Sequence, residues 1–293
     1  MYAIPQDIHT EVFAKLPDEF RRNTTAPWLE VQRRALKTHS FLEGPCFDER
    51  GRLYVVDIPF GRVFSISEQG AFDLVAEYDG EPNGMKIIAQ DKALIADHKL
   101  GLVALTLSTG AIEVIYDRPV LERFIGLNDL FIASNGDIYF TDQGQSGLQE
   151  YSGRVYRLTP EGQLDCLLEN IPSPNGLVLD AAEESLLVGV TRANQIWRLP
   201  LLLDGRVSKA GVFINMSGGV GPDGLALDAQ GNLVVCHPGL GLVWVFSPYG
   251  ELMKRIRSCT GRMTTNCAFH PTRNNELYIT ESETGTILRA KVG

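Results

Sequence analysis

The chain has 293 residues, 44% of them hydrophobic, enough to bury one sizeable core. With 27 Lys plus Arg against 36 Asp plus Glu its formal charge is −9, and no basic run of five or more occurs. That balance argues against nucleic acid and anionic membrane surfaces as partners, because both need clustered cations, and it suits a protein that attracts a cation.

The first twenty residues have no charged region followed by an apolar stretch, so they do not read as a secretory signal. No run approaches the roughly 18 apolar residues of a membrane span. Within this stretch Glu11 to Leu16 alternates like a strand. Residues 17–40 follow a different pattern. Trp28, Leu29, Val31 and Leu36 are apolar, and Leu29, Gln32, Arg33 and Leu36 have helical spacing, which predicts a short helix acting either as a lid or as a surface insertion.

From residue 41 onward one unit recurs. In the first copy the turns Asp48 to Gly51, Phe60-Gly61 and Gln69-Gly70 separate strands at Leu53 to Val56, Arg62 to Ile66 and Phe72 to Ala76. Four antiparallel strands in about 40 residues make one propeller blade. A polar residue opens the first strand of each copy: Glu43, Asn83, Asn128, Asn175, Asp223 and Asn266, spaced 40, 45, 47, 48 and 43 residues apart. The fold class predicted is therefore all-β, one six-bladed β-propeller domain over 1–293 with its blades in 41–293 and a short N-terminal extension. The sixth copy is short of its outermost strand, and Glu11 to Leu16 is predicted to supply it, closing the ring and covering exposed sheet edges. Residues 144–153 and 200–205 read as loop expansions.

The five cysteines show neither CxxC nor Cys/His metal spacing. Cys46, Cys236 and Cys267 sit in apolar strand patterns and read as buried thiols, so a reducing cytoplasm is the expected compartment.

In a propeller the matched strand starts converge on the axis. The six polar positions would meet there, and burying them without partners would cost a few kcal/mol each. Carboxylates and carboxamides in one place form a hard-oxygen cage suited to Ca²⁺, Mg²⁺ or Mn²⁺. The competing reading is that Asn-Gly and Asp-Gly pairs recur only because they are common turn dipeptides, which Glu43 fits least well. Asp129 is either a catalytic base or a partner that holds Asn128. His98 and His237 follow the second strands of their copies and could face substrate together with Asn83 and Asn266, although a histidine at a strand end is more often structural. Asp142 and Glu281 occupy similar strand ends. No GxSxG elbow supports a serine hydrolase.

The segments LEGPCFDERGRLYVVD, NDLFIASNGDIYFTD, SPNGLVLD and GPDGLALDAQGNLVV resemble the senescence marker protein 30, gluconolactonase and luciferin-regenerating enzyme family, over about residues 41–293. The resemblance implies a six-bladed propeller whose axial ion is held by Glu43, Asn175 and Asp223, with Asn128 as a fourth contact to metal or substrate. It implies a metal-dependent lactonase acting on a small-molecule sugar lactone, with Ca²⁺ first and Zn²⁺, Mn²⁺ or Mg²⁺ as alternatives, in a monomer or small homo-oligomer. Such an ion would act as a Lewis acid on the lactone and activate water, with Asp223 or Asp129 as the base. Gly126 stands where sugar-lactonase members carry a substrate-contacting Arg, which separates this chain from a simple gluconolactone specificity. The alternatives are hydrolysis of another ester or phosphotriester at the same ion, or a non-catalytic binding propeller with a structural calcium.

Overall fold

The computed structural model describes residues 4–32 and 37–293. Short β-rich runs punctuated by Gly- and Asp-bearing turns fold into six sheets, antiparallel and in chain order except for the two strands that the N-terminal segment adds. Blade 1 is built of Leu42–Phe47, Leu53–Asp57, Arg62–Ile66 and Phe72–Glu77. The innermost strands of blades 2 to 6 are Pro82–Ala89, Leu127–Ile132, Pro174–Leu179, Leu225–Leu227 and Thr264–Phe269. Each innermost strand packs on the next and the sixth packs on the first, so the ring is closed as the repeat predicts.

The core lies between blades rather than at one centre. Leu42, Val55 and Phe64 of blade 1, for instance, pack against Tyr278 and Ile287 of blade 6. Cys46, Cys236 and Cys267 are buried free thiols, as their strand contexts predict, and burial pushes the Cys46 thiol up to about 12.

The N-terminal segment joins the ring twice. Strand β1 (Gln6–His9) runs parallel to Leu252–Arg257 as a fifth strand of blade 5, where Asp7 accepts from Arg255 Nε at 2.6 Å and Arg257 Nε at 3.2 Å. Strand β2 (Glu11–Lys15) pairs antiparallel with Thr286–Lys291 as the outermost strand of blade 6, with Glu11 opposite Arg289. The closing strand is thus the predicted one. β1 has no apolar alternation, and nothing in its sequence announced it.

Residues 17–32 then cross to blade 1. Helix α1 (Pro27–Gln32) buries Trp28 and Leu29 against Ile58, with Phe41 and Phe60 alongside. Arg33 and Leu36 of the predicted helical stripe lie outside the described residues. The crossing is anchored by Arg62, a fully buried guanidinium paired with Asp57. Arg62 Nη1 donates to the Phe20 carbonyl at 2.8 Å, and Asp57 Oδ1 accepts the Phe41 N–H at 2.6 Å.

Asp57 is one of a set. Asp97 accepts from the backbone of Glu81, Asp142 from Gly126 and Ile125, and Glu281 from Met263. Each of these second-strand termini holds the chain entering its blade's innermost strand. Asp142 and Glu281 therefore have a backbone-clamping role, which satisfies buried N–H groups. No helix among the described residues is long and apolar enough to cross a membrane.

Candidate active site

Five of the six innermost strands break register at their polar residue: between Glu43 and Cys46, Pro82 and Gly84, Leu127 and Leu130, Pro174 and Leu177, and Thr264 and Asn266. A bulge re-aims a side chain, and here it does so at the axis. The glycine that follows the polar residue explains the recurring dipeptide. A Cβ on Gly84 would lie 2.4 Å from Asp129 Oδ1, and one on Gly224 would lie 2.1 Å from Asn266 Cγ. Neither glycine has a positive φ. These pairs are not turns; the missing Cβ lets neighbouring blades approach closely enough for their polar residues to meet.

The side chains brought together are connected. Asn266 Nδ2 donates to Glu43 Oε2 at 2.9 Å and approaches Asp129 Oδ2 at 3.4 Å. Gly44 N–H donates to Glu43 Oε2 at 2.6 Å, and Asn175 hydrogen-bonds the Asp223 carboxylate. Asp129 is fixed by the Leu130 N–H at 2.8 Å, while its own N–H donates to Thr141 Oγ1 at 3.1 Å. Asn128 Nδ2 donates to Gln143 Oε1 at 3.0 Å, and Gln143 Nε2 passes the chain to Ser173 Oγ at 2.9 Å.

Burial, with the charge of Asp129 added, pushes the Glu43 carboxyl up to about 7. Asp223 is raised well above the usual carboxylate range by burial and by the charges of Glu43 and Asp129, with Arg192 only partly offsetting this. Among the described residues no Lys or Arg pairs directly with Glu43 or Asp223. Carboxylates that repel one another without a neutralising side chain are what a cation-binding site requires.

These residues form the floor of a funnel of about 370 Å³. Glu43, Asn83, Asn128, Asn175, Asp223 and His98 line it, together with Gln143, Ser173, Thr191 and Arg192. Larger clefts of 960 and 1120 Å³ lie elsewhere on the surface; the first mixes Asp48, Glu49, Glu68 and Asp91 with Arg50 and Arg52, and neither holds the buried, charge-raised carboxylates of the axis. Charge at the axis, not size, singles out the funnel.

Three of the sequence-derived positions take other places. Asn266 and Asp129 are buried and are not among the residues that line the funnel; Asn266 reaches Glu43 and Asp129 from there. His237 is outside it as well. Its Nε2 lies 2.9 Å from the Gly218 carbonyl and its Nδ1 accepts from Trp244 Nε1 at 3.0 Å, so both ring nitrogens are engaged in blade structure. His98 is inside. Burial pushes it down to about 4, so it is a neutral imidazole, its Nδ1 has no hydrogen-bond partner, and its ring fills the space a side chain at position 126 would need.

What the sequence did not single out is the rest of the wall. Gln143 follows the clamping Asp142 directly, so its place was readable from the strand end; Ser173 and Arg192 carry no such signal.

Among the described residues no group of three or more His, Cys, Asp and Glu side chains is arranged to hold a metal. An ion here would take carboxamide oxygens from Asn175 and Asn128 beside the Glu43 and Asp223 carboxylates, a donor set that fits a hard divalent cation. This arrangement fits the group the sequence implied.

Comparison with known proteins agrees with this architecture. Residues 41–283 match the model of the SMP-30/Gluconolactonase/LRE-like region. A gluconolactonase of Zymomonas mobilis is 32% identical over 71% of this chain, which spans 63% of that relative's length. Lactonase drp35 of Staphylococcus saprophyticus is 30% identical over 85% of this chain and 79% of its own. The solved gluconolactonase of Xanthomonas campestris superposes with a TM-score of 0.77 at 23% identity, covering 97% of this chain and 98% of that one, which establishes the shared fold. By the span of the family match and the propeller that carries it, the chain belongs to the SMP-30/gluconolactonase/LRE-like family.

Proposed function

We propose that this protein opens a sugar lactone to its hydroxy acid with the help of a divalent ion, Ca²⁺ in first place, held by Glu43, Asn175, Asp223 and Asn128. The lactonase class rests on relatives that carry that name at about 30% identity over most of the chain. The observation that carries the site assignment is the convergence of Glu43 and Asp223, from blades 1 and 5, on one funnel floor without a neutralising side chain.

When bound, the ion supplies Lewis-acid polarisation of the ester and a lower pKa for nearby water. The chain supplies the rest. Glu43 and Asp223 both line the funnel and stand raised above their ordinary range, but Glu43 Oε2 already accepts from Gly44 N–H and Asn266 Nδ2, which leaves Asp223 to take a proton from water as its oxygen adds to the lactone carbonyl carbon. The acyl–oxygen bond of the ring then breaks, the ring oxygen receives that proton from Asp223, and a hydroxy acid results. Asp129, sealed below the floor, is a positioning residue for Glu43 through Asn266. Asn128, held by Gln143, orients the substrate.

The test is acid release from five- and six-membered aldonolactones in chelated protein and after restoring single metals, with Glu43→Gln and Asp223→Asn alongside. Metal-restored activity lost in both folded variants is expected. Equal background rates in all samples overturn the reading.

A further inference from the structure

The funnel wall is two-sided. Among its described lining residues, the arc from blade 5 through blade 6 to blade 1 is mostly apolar: Val220, Pro238, Met263, Ile58 and, from α1, Trp28, with Gln32 at the end of that helix as a carboxamide exception. The facing arc of blades 3 and 4 presents carboxamides and hydroxyls, with Gln143, Gln149, Ser173 and Thr191, and one cation, Arg192. Trp28 is held rather than hanging. It is 8% exposed, its ring centroid stands 5.0 Å from that of Phe41, and its neighbour Leu29 is buried beside Ile58.

A fully hydroxylated ring would leave hydroxyls against the Trp28 and Met263 side, where they lose water and gain nothing. A fully apolar ring would leave the carboxamide arc unpaired. Resting on the lactonase reading above, we propose that the funnel selects a lactone with two unlike edges, hydroxyls on one and an apolar substituent such as a methyl on the other, and that Trp28 with Met263 is the specificity-determining apolar wall. A 6-deoxy aldonolactone is the simplest member of that class. Hydrophobic pockets discriminate one such group by about 10-fold or more, and a polar group forced against an apolar wall adds to the contrast.

The probes are mannono-1,4-lactone and its 6-deoxy counterpart. The native protein is expected to show a kcat/KM for the deoxy lactone about 10-fold above the parent. In Trp28→Ala the ratio falls toward one, through a raised KM for the deoxy lactone, and Trp28→Phe restores most of it. Met263→Gln, nearly isosteric and on another blade, lowers the same ratio, so the result does not depend on α1 staying seated in Trp28→Ala. A native preference for the parent lactone, or a ratio unmoved in both Trp28→Ala and Met263→Gln, overturns the proposal. Tryptophan fluorescence titration with the carbonyl-free cyclic ethers of the same two sugars separates the two readings. Tighter binding of the deoxy ether with no lactone opened sinks the lactonase assignment alone. Equal binding of both ethers sinks the two-sided funnel.

Discussion

Asn266 Nδ2 donates to Glu43 Oε2 at 2.9 Å across 223 residues of sequence, joining the last blade to the first directly under the funnel floor. The same amide leans 3.4 Å toward Asp129, so one carboxamide spans two carboxylates that repel each other. Asn266→Asp places a third negative charge there and Asn266→Ala removes the donor. Because residues that hold metal ligands in place typically govern affinity by 10- to 100-fold, Asn266→Ala is expected to weaken affinity for the proposed ion by about that factor. A titration of activity against metal concentration checks it, with the maximal rate recovered at high metal.

Gly126 and His98 compete for one space. A Cβ on Gly126 would lie 2.3 Å from His98 Cε1, and its φ of 144° is one that L side chains rarely adopt. Gly126→Ala should cost about 1–3 kcal/mol in urea unfolding. Adding His98→Ala should return part of that loss, leaving the backbone strain. A double-mutant cycle with no coupling would refute the clash.

His98 also sets an acid limit. Its folded pKa of about 4 lies below the ordinary 6.5, so protonation favours the unfolded chain. Its contribution is fully present above pH 6.5 and is lost as pH falls toward 4, up to about 3 kcal/mol. Unfolding measured at pH 7 and pH 4.5 should show a smaller drop for His98→Gln than for the native protein.

Asp57 is the only carboxylate hydrogen-bonded to the buried Arg62 among the described residues, with Arg62 Nε donating to Asp57 Oδ2 at 2.9 Å. Asp57→Ala strands that guanidinium and removes the carboxylate that accepts from the Phe41 N–H, with an expected cost of about 3–5 kcal/mol from the unpaired guanidinium. Replacing both residues, Asp57→Leu with Arg62→Met, should be far milder. Thermal unfolding of the two variants decides it.

Much of this was legible beforehand, and for physical reasons. The blade grammar shows because each innermost strand must be apolar around one fixed polar residue, and Glu43 through Asn266 recur at a period that radial or solenoid repeats produce. β2 shows because Glu11 to Leu16 alternates. β1 does not, since Gln6–His9 offers only Ile8 to the core and Asp7 finds its partners in Arg255 and Arg257, far along the chain. The sequence treats His98 and His237 alike, although His237 is the last residue of Leu233–His237 and His98 lies one residue past the end of Lys92–Asp97. Trp244, seven residues past His237, and Gly126, on the next blade from His98, send them to different fates. Asn-Gly was ambiguous for the same reason: a dipeptide records that no Cβ is tolerated, not whether a turn or a neighbouring blade forbids it.

The double seating of the N-terminal segment has a consequence for folding. β2 finds its antiparallel partner in Thr286–Lys291 and β1 its parallel one in Leu252–Arg257. Residues 6–15 therefore have no sheet to join until residues 252–291 are in place. Until then blades 5 and 6 offer bare edges and the ring stays open, so closure is the fastening of a clasp whose halves lie far apart in the sequence.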